Sequence, residues 1–167
     1  MSKIKILSGW SNPGGSTVAH INLTNLFNEK GHDCTFYGPH TWHLDKCKSD
    51  HLKEFSPEKK DKVLVHFMDM LTRPDVDKFV LTCHETNLFP LTMRSHSQYD
   101  FIHFVSNSQR EWHGAQGPKV KAKSVIIPNV LSKLRKRSFS GRTGSYGVIG
   151  SIDPHKRTHE AIKAALH

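Results

Sequence analysis

The segment NPGGS at residues 12–16 is the part of the chain best suited to hold a phosphate. It stands between a short apolar run at residues 3–8 and an amphipathic segment that ends near Gly31. Glycines where a strand leads into a helix let a ligand approach the backbone, and the first amides of the helix present partial positive charge. The same glycines can serve only a tight turn, because neither the P-loop spacing nor G-x-G-x-x-G is present.

Histidines are the second group of residues that can do chemistry, and the chain has 13 of them. His40 and His43 are three apart, and His155 and His159 are four apart in a segment with helical character. These spacings raise the question of a metal site. No HExxH motif occurs, and the lysines among the histidines repel a cation. We therefore predict no metal site and expect most histidines to lie at the surface, with one or two functional exceptions.

Composition and charge limit the class of protein. A chain of 167 residues holds one ordinary domain, or one domain and part of another. Its apolar runs of about four to six residues are far shorter than the roughly twenty of a spanning helix, and no secretory signal follows Met1. Three cysteines without C-x-x-C spacing favour a reducing, cytoplasmic location. The net charge of +9 favours anionic partners such as phosphorylated ligands, nucleic acid or an anionic membrane surface.

Six apolar runs predict strands that alternate with polar or amphipathic connections. These strands are expected at residues 3–8, 32–38, 62–68, 78–84, 100–107 and 124–130. Runs that are nearly continuous in Val, Ile, Leu and Phe are typical of a parallel sheet covered on both faces. We therefore predict a Rossmann-like, doubly wound α/β domain with a mostly parallel sheet, whose ligands bind at the carboxyl ends of the strands.

Helices are predicted between these strands from their capping residues. Ser16 or Thr17 is expected to cap the first helix, which ends at Gly31. Ser56 and Pro57 are suited to begin a second helix. The polar segment after the fifth strand has the length of a helix or a long loop.

The composition changes after Val130. Residues 131–144 combine basic residues with Ser, Gly and Thr and contain no acidic residue, which is typical of a flexible linker. Residues 145–167 again predict a strand, a turn and a helix. We therefore predict an N-terminal Rossmann-like domain at residues 1–130, a basic linker at 131–144 and the first βα unit of an incomplete second domain at 145–167.

Six segments occur in an order that is hard to obtain by chance. They are a strand leading into a Gly-Gly turn, a helix ending in EKGHDCTFYG, a strand ending in CHE, and then VSNSQ, IIPNV and VIGSIDPHKRTHEAIKAA. Together they resemble the retaining "group 1" nucleotide-sugar-dependent glycosyltransferases of the GT-B fold, over nearly the whole chain. The resemblance implies an acceptor-side domain and the start of a donor-binding domain. It also implies transfer of a sugar from a nucleotide donor to an acceptor, with retention at the anomeric carbon.

The resemblance also implies roles for individual residues. His84, at a strand end, matches the histidine that turns toward the transferred sugar, and it is the predicted catalytic residue. Gly14, Gly15 and Ser16 match the loop that lies against the donor's phosphate and sugar. Lys156 matches the lysine that neutralises the diphosphate leaving group, whose growing charge has to be stabilised in the transition state. The predicted acceptor or cleft-lining residues are Trp10, Glu85, Asn107 and Asn129.

Some positions depart from the family pattern. Ser151 stands where an arginine usually contacts the diphosphate, and Val130 stands where a glycine usually follows Pro-Asn. The acidic E-x7-E pair of the donor domain is also missing, so by itself this chain is expected to bind the donor weakly or not at all and to lack turnover. The nucleotide-diphosphate sugar is the expected co-substrate, an unknown acceptor is its expected partner, and no metal or other cofactor is predicted.

Other interpretations remain open beside this one. KVKAK and KLRKR favour a non-catalytic Rossmann-like module for anionic partners or nucleic acid. Nucleic acid is the less favoured partner, because aromatic residues do not interleave with the basic clusters. The candidate residues also have plain structural explanations: Gly14 and Gly15 can form only a turn, His84 can be a polar residue at a strand end, and Trp10 can be a packing residue.

Overall fold

The computed structural model describes residues 1–84 apart from 69 and 71, residues 96–114 and 123–129, and residues 160, 163 and 164. The chain comprises two compact units, Met1–Lys133 and Leu134–His167. In the second unit, the three described residues are helical. The predicted linker at 131–144 lies outside the described residues, so the three-part division of the chain stays a prediction.

A parallel sheet is the centre of the first unit. Its strands are β1 (Lys3–Ser8), β2 (Asp33–Gly38), β3 (Ser49–His51), β4 (Lys62–His66), β5 (Lys78–Cys83), β6 (Phe101–Phe104) and β7 (Ser124–Ile126). In the described part of the chain the sheet has seven strands in the order β3-β2-β1-β4-β5-β6-β7, and all neighbours run parallel. The strand order reverses between β1 and β4, as in doubly wound sheets. The predicted Rossmann-like α/β class is confirmed.

Helices connect the strands. They are α1 (Gly15–Glu29) and α2 (Asn107–Gly114), with single 3-10 turns at Leu52–Glu54 and His96–Gln98. Gly31 follows α1 with a φ of 82°, and the amide of His32 donates to the carbonyl of Phe27 at 3.0 Å. This is the Schellman arrangement, so Gly31 ends the helix as predicted. Among the described residues, the helices are too short or too polar for any of them to cross a membrane.

Two predictions about helix starts are wrong. Gly14 occupies the N-cap of α1, no side chain caps the helix, and Ser16 already lies in its first turn. No helix begins at Ser56, because Lys5 draws this segment onto the sheet: its ammonium donates to the Ser56 carbonyl at 2.5 Å and pairs with the buried Asp61 at 2.7 Å. Asp61 also accepts the amide of Glu58 at 2.7 Å, which closes a turn instead of a helix.

The two faces of the sheet are covered unequally. On one face α1 packs over a small cluster that contains Ile4, Ile6, Cys34 and Phe36. The opposite face carries the larger core, with Leu7, Val63, Val65, Val76, Phe79, Leu81, Cys83, Tyr99, Ile102 and Phe104. Among the described residues, the carboxyl edge of the sheet is therefore supported by the larger core on one side and by α1 on the other.

The ends of β1 and β4 approach each other closely at Gly9. Its amide donates to the carbonyl of His66 at 2.9 Å, and a Cβ added at Gly9 would lie 2.2 Å from the carbonyl oxygen of Phe67. Phe67 itself has a φ of 50°, in the left-handed region that disfavours bulky residues. Gly9 therefore has a steric reason to be glycine.

Replacing Gly9 by alanine is expected to lower the free energy of unfolding by about 2 kcal/mol or more, because the new methyl group overlaps backbone that cannot move freely. Gly15→Ala is the matched control. No atom of the described residues lies within 4 Å of a Cβ added at Gly15, and an alanine in the first turn is expected to be neutral or to stabilise by up to about 1 kcal/mol. Chemical denaturation of both variants measures the difference. Equal stability of the two variants would contradict the packing derived for Gly9.

Candidate functional site

One row of polar side chains crosses the sheet at its carboxyl edge. Ser8, His66, Thr82 and His103 are successive register partners on β1, β4, β5 and β6. Register partners in a parallel sheet point to the same face, so the four side chains lie side by side. Ser8, His66 and Thr82 are at most 2% exposed. Buried polar groups of this kind have to be hydrogen-bonded, and the pairing within the row provides this.

The Ser8 hydroxyl is fully engaged by its neighbours. It donates to the carbonyl of Trp10, and the amide of Trp10 donates back to it at 3.2 Å. Its Oγ lies 2.9 Å from Nδ1 of His66. Because the hydroxyl proton is already directed at Trp10, His66 has to carry its proton on Nδ1 and donate it to Ser8. Ser8 therefore has no free proton to lose, and it is not arranged as a nucleophile.

His103 is fixed in the opposite tautomer. Its Nε2 lies 2.7 Å from the carbonyl oxygen of Ile127, which can only accept, so Nε2 carries the proton. Its Nδ1 lies 2.5 Å from the hydroxyl of Thr82. Burial lowers the pKa of His103, which keeps the ring neutral and lets Thr82 donate to Nδ1. The ring thus ties together the ends of β5, β6 and β7.

Two further histidines lie beside this row. The ring of His20, on α1, has its centre 4.6 Å from that of His66 and 4.7 Å from that of His84. The ring of His84 is 5.2 Å from His66 and 6.4 Å from His103. We call His20, His66, His84 and His103 the histidine cluster. It joins α1 to the carboxyl ends of three neighbouring strands.

His20 is the most enclosed ring of the cluster. It is 1% exposed, and neither of its ring nitrogens has a hydrogen-bond partner in the described part of the chain. Burial, and then the neighbouring rings of His66, His84 and His103, lowers the pKa of His20 well below its ordinary value. The ring is therefore neutral, with one N–H to donate and one lone pair to accept.

The cluster is held by ring packing. Its rings meet at interplanar angles from 54° to 89°. Within the described ranges, no group of three or more His, Cys, Asp or Glu side chains has an arrangement that could hold a metal ion. The neutral rings of His20 and His103 can hydrogen-bond to hydroxyl groups, whereas they provide little positive charge for a phosphate.

His84 borders two cavities. The larger, of about 510 Å³, lies between α1 and the sheet and is also lined by His20, His103 and Asn129. The smaller, of about 330 Å³, lies at the start of α2 and is lined by Ser106, Ser108, Gln109 and Trp112 among others. His84 is half-buried, so its ring is both enclosed by its neighbours and accessible to a ligand.

The start of α2 is closed by its own side chains. The hydroxyl of Ser106 accepts the amide of Gln109 at 3.2 Å, and the side-chain carbonyl of Gln109 accepts the amide of Val105 at 3.0 Å. This pairing is close to a capping box and engages amides that would otherwise face a ligand. Asn107, the first residue of α2, is exposed and accepts from Arg110 at 3.4 Å.

The start of α1 is open by comparison. Gly14 and Gly15 are exposed, and the first turn contains neither a side-chain cap nor an acidic residue. Gly14 has an extended backbone with a φ of −176°, and the atom nearest to a Cβ added there is the carbonyl oxygen of Asn12 at 3.8 Å. Neither the backbone nor the packing therefore requires glycine at positions 14 and 15.

The structure brings some of the predicted site residues together. His84 and Asn129 line the same cavity, and Gly14, Gly15 and Ser16 begin the helix that carries His20. Trp10 is 46% exposed, and its ring meets Phe67 edge-on at 6.1 Å. Packing against Phe67 leaves nearly half of the indole open to solvent. Glu85 and Lys156 lie outside the described residues.

Sequence reasoning missed three members of the histidine cluster, His20, His66 and His103. The expectation that most histidines lie at the surface or at an edge does not hold for His20 and His66, or for His43 outside the cluster, each of which is 1% exposed or less. A usable signal was present, because His66 and His103 each lie within an apolar run. Polar residues at such positions of parallel strands face one another across the sheet.

We expect the free energy of unfolding to fall with acidification below pH 6.5, the ordinary histidine value. The unfolded chain takes up protons there, whereas folded His20 and His103, with lowered pKa values, resist them until the pH reaches their folded pKa values. The loss is up to about 1.4 kcal/mol per pH unit for each such histidine. Urea denaturation between about pH 7.5 and about pH 5.5 measures it.

The variant His20→Phe removes one of these rings, so its stability should vary less with pH than that of the unsubstituted chain. His40→Gln, which changes an exposed histidine, is the matched control and should keep the full dependence. If the pH dependence of His20→Phe equals that of the control, His20 is not a buried neutral group.

Comparison with known proteins gives no family assignment for this chain. No protein-family model matches it, and a search of curated proteins also finds no match. The functional interpretation therefore depends on the residues and contacts described above.

Proposed function

We propose that this chain carries the acceptor-side domain of a retaining, nucleotide-sugar-dependent glycosyltransferase. The observation that carries the proposal is the placement of α1, which starts with the open glycine turn and brings His20 against His84. One helix thus connects a site suited to phosphate with a site suited to sugar hydroxyls. The ordered sequence resemblance supports the same function.

The first turn of α1 is proposed to contact the donor's phosphate. A helix N-terminus carries about half a positive charge, and its free amides point outward along the axis. α1 has 15 residues and no acidic residue in its first turn, so nothing on the helix offsets this charge. Gly14 and Gly15 add the close backbone approach that a side chain would prevent.

His84 is proposed to bind the transferred sugar. Contacts with the rings of His20, His66 and His103 fix the orientation of its imidazole. A positioned imidazole can donate to or accept from a sugar hydroxyl, and a site that pairs a hydroxyl group discriminates strongly against ligands without it.

The proposed reaction transfers the sugar from phosphate oxygen to acceptor oxygen. The acceptor hydroxyl attacks the anomeric carbon, the bond to the nucleoside diphosphate breaks, and the acceptor proton passes to the leaving phosphate. No protein nucleophile is required if both events occur on one face of the sugar. The growing negative charge needs cations and amide dipoles, for which Lys156 and the start of α1 are the candidates.

Uridine and guanosine diphosphates are expected to shift the amide NMR signals of Gly14, Gly15 and Ser16. Gly14→Asp should reduce this binding about tenfold or more, because a carboxylate at the N-cap competes with the phosphate for the same amides. The same substitution should stabilise the helix by about 0.5–1 kcal/mol, which separates lost binding from lost folding. Titration by NMR and chemical denaturation measure the two effects.

Gly14→Ala separates the effect of charge from that of size, because its methyl group fits among the described residues and carries no charge; it should weaken binding less than Gly14→Asp does. If Gly14→Asp leaves nucleotide binding unchanged, the start of α1 does not contact the phosphate. Inorganic phosphate that binds as tightly as the nucleotides, with strong salt dependence, would favour the alternative of a module for anionic partners.

His84→Ala is expected to weaken binding of a nucleotide-sugar by about fivefold to tenfold, the effect of one lost hydrogen bond, and to leave binding of the nucleoside diphosphate unchanged. Calorimetry with UDP-glucose against UDP, and with GDP-mannose against GDP, gives the comparison. Lys156→Ala should instead weaken binding of both the nucleotide-sugar and the corresponding nucleoside diphosphate. Equal losses for both ligands in His84→Ala would assign His84 to folding or to the phosphate, not to the sugar.

A further inference from the structure

The larger cavity lies beside a part of the sheet that α1 covers only partly. Along the sheet it is lined by Leu64, Val80, Thr82, Phe101, His103, Val125 and Ile127, and from α1 by Ala19, His20, Leu23, Leu26 and Phe27. Leu64, Val80 and Phe101 are register partners on β4, β5 and β6, so they form one continuous apolar floor. Phe101 and Ile127 are 44% and 56% exposed, which opens the cavity toward β6 and β7.

Its polar groups are gathered at one end. Thr82, His84 and His103 lie at the carboxyl ends of β5 and β6, and His20 reaches the same end from α1. No lysine, arginine, aspartate or glutamate is among the described residues that line it. A ligand with an apolar chain and a small uncharged polar group at one end fits this distribution, whereas a phosphate or a metal ion does not.

The polar side chains of the cavity that lack a hydrogen-bond partner indicate which polar group the ligand carries. Thr82 and His103 hydrogen-bond to each other and to Ile127, so their capacity is largely used. His20 is different, because both of its buried ring nitrogens lack a partner within the described ranges. One ligand group can reach only one of these two nitrogens. A hydroxyl group can donate to the unprotonated nitrogen, a hydrogen bond that an oxygen without a proton cannot make.

We propose that this cavity binds a hydroxyl-bearing apolar ligand, such as a medium-chain aliphatic alcohol. The chain lies on the apolar floor between α1 and β5–β7, and the hydroxyl bonds to His20 at the polar end. The cavity volume of about 510 Å³ is within the range of small-molecule sites, roughly 300–1,000 Å³. Identifying this ligand as the sugar acceptor rests on the proposed function, whereas the binding itself does not.

The test compares 1-octanol with 1-methoxyheptane, which has the same number of heavy atoms and whose oxygen can only accept. The unsubstituted chain is expected to bind the alcohol about fivefold to tenfold more tightly than the ether. In His20→Leu this preference should disappear, while the ether binds as before. Extending the alcohol by one methylene should strengthen binding about fourfold until the cavity is filled.

Two further variants test the location. Val125→Phe fills the apolar part of the cavity and should abolish binding of both probes. Val18→Phe is the matched control, because Val18 is exposed on α1 and does not line the cavity. If His20→Leu fails to fold, the ring ¹⁵N signals of His20 in the unsubstituted chain should shift with 1-octanol and stay in place with the ether.

Absence of binding, equal affinity for the two probes, or binding that survives Val125→Phe would overturn the proposal. These titrations contain no nucleotide, so their outcome is independent of donor binding. Nucleotide binding at the start of α1 without alcohol binding would support the proposed function and reject the cavity as a ligand site. Alcohol binding without nucleotide binding would support the cavity as a ligand site and count against the proposed function.

Discussion

The structure at the carboxyl edge of this sheet depends on one constraint: polar side chains buried there have to hydrogen-bond to one another. Ser8, His66, Thr82 and His103 lie on neighbouring strands at one register level, and the first three are buried away from water. Each hydrogen bond in the row fixes a donor and an acceptor, so the tautomers of His66 and His103 follow from their partners. The row therefore sets both the alignment of the strands and the proton positions next to the candidate site.

The lowered pKa values of His20 and His103 limit what the candidate site can bind. Burial keeps these two rings neutral, so neither of them supplies the cation that a diphosphate needs. The start of α1 can supply partial positive charge without a side chain, and it lies on the helix that carries His20. The proposed function therefore separates charge recognition from hydroxyl recognition along a single helix, with the first at its N-terminus and the second inside the sheet edge.

The strands were predictable because burial on both faces leaves continuous apolar runs. β3 was not predicted, because it has no apolar run. Its residues Ser49, Asp50 and His51 join the sheet by backbone pairing with β2 and need no apolar side chain. The start of α1 was misassigned because a hydroxyl residue near a helix start usually caps it, whereas this helix begins one residue after Gly14, ahead of Ser16. The C-terminal end of α1 was predicted correctly, since Gly31 adopts a positive φ that few other residues adopt without strain.

The candidate site was predictable only where one residue carried the signal. His84 was predicted at a strand end and lies directly after β5, whereas the positions of His20, His66 and His103 depend on register and on helix packing that a linear sequence does not contain. The glycines give the sharper lesson. Gly9 is required by backbone contact with Phe67, while the backbone and packing at Gly14 and Gly15 would accept a side chain. The described part of the fold does not require glycine at these two positions, and the close approach of a phosphate to the start of α1 is the role that we propose for them.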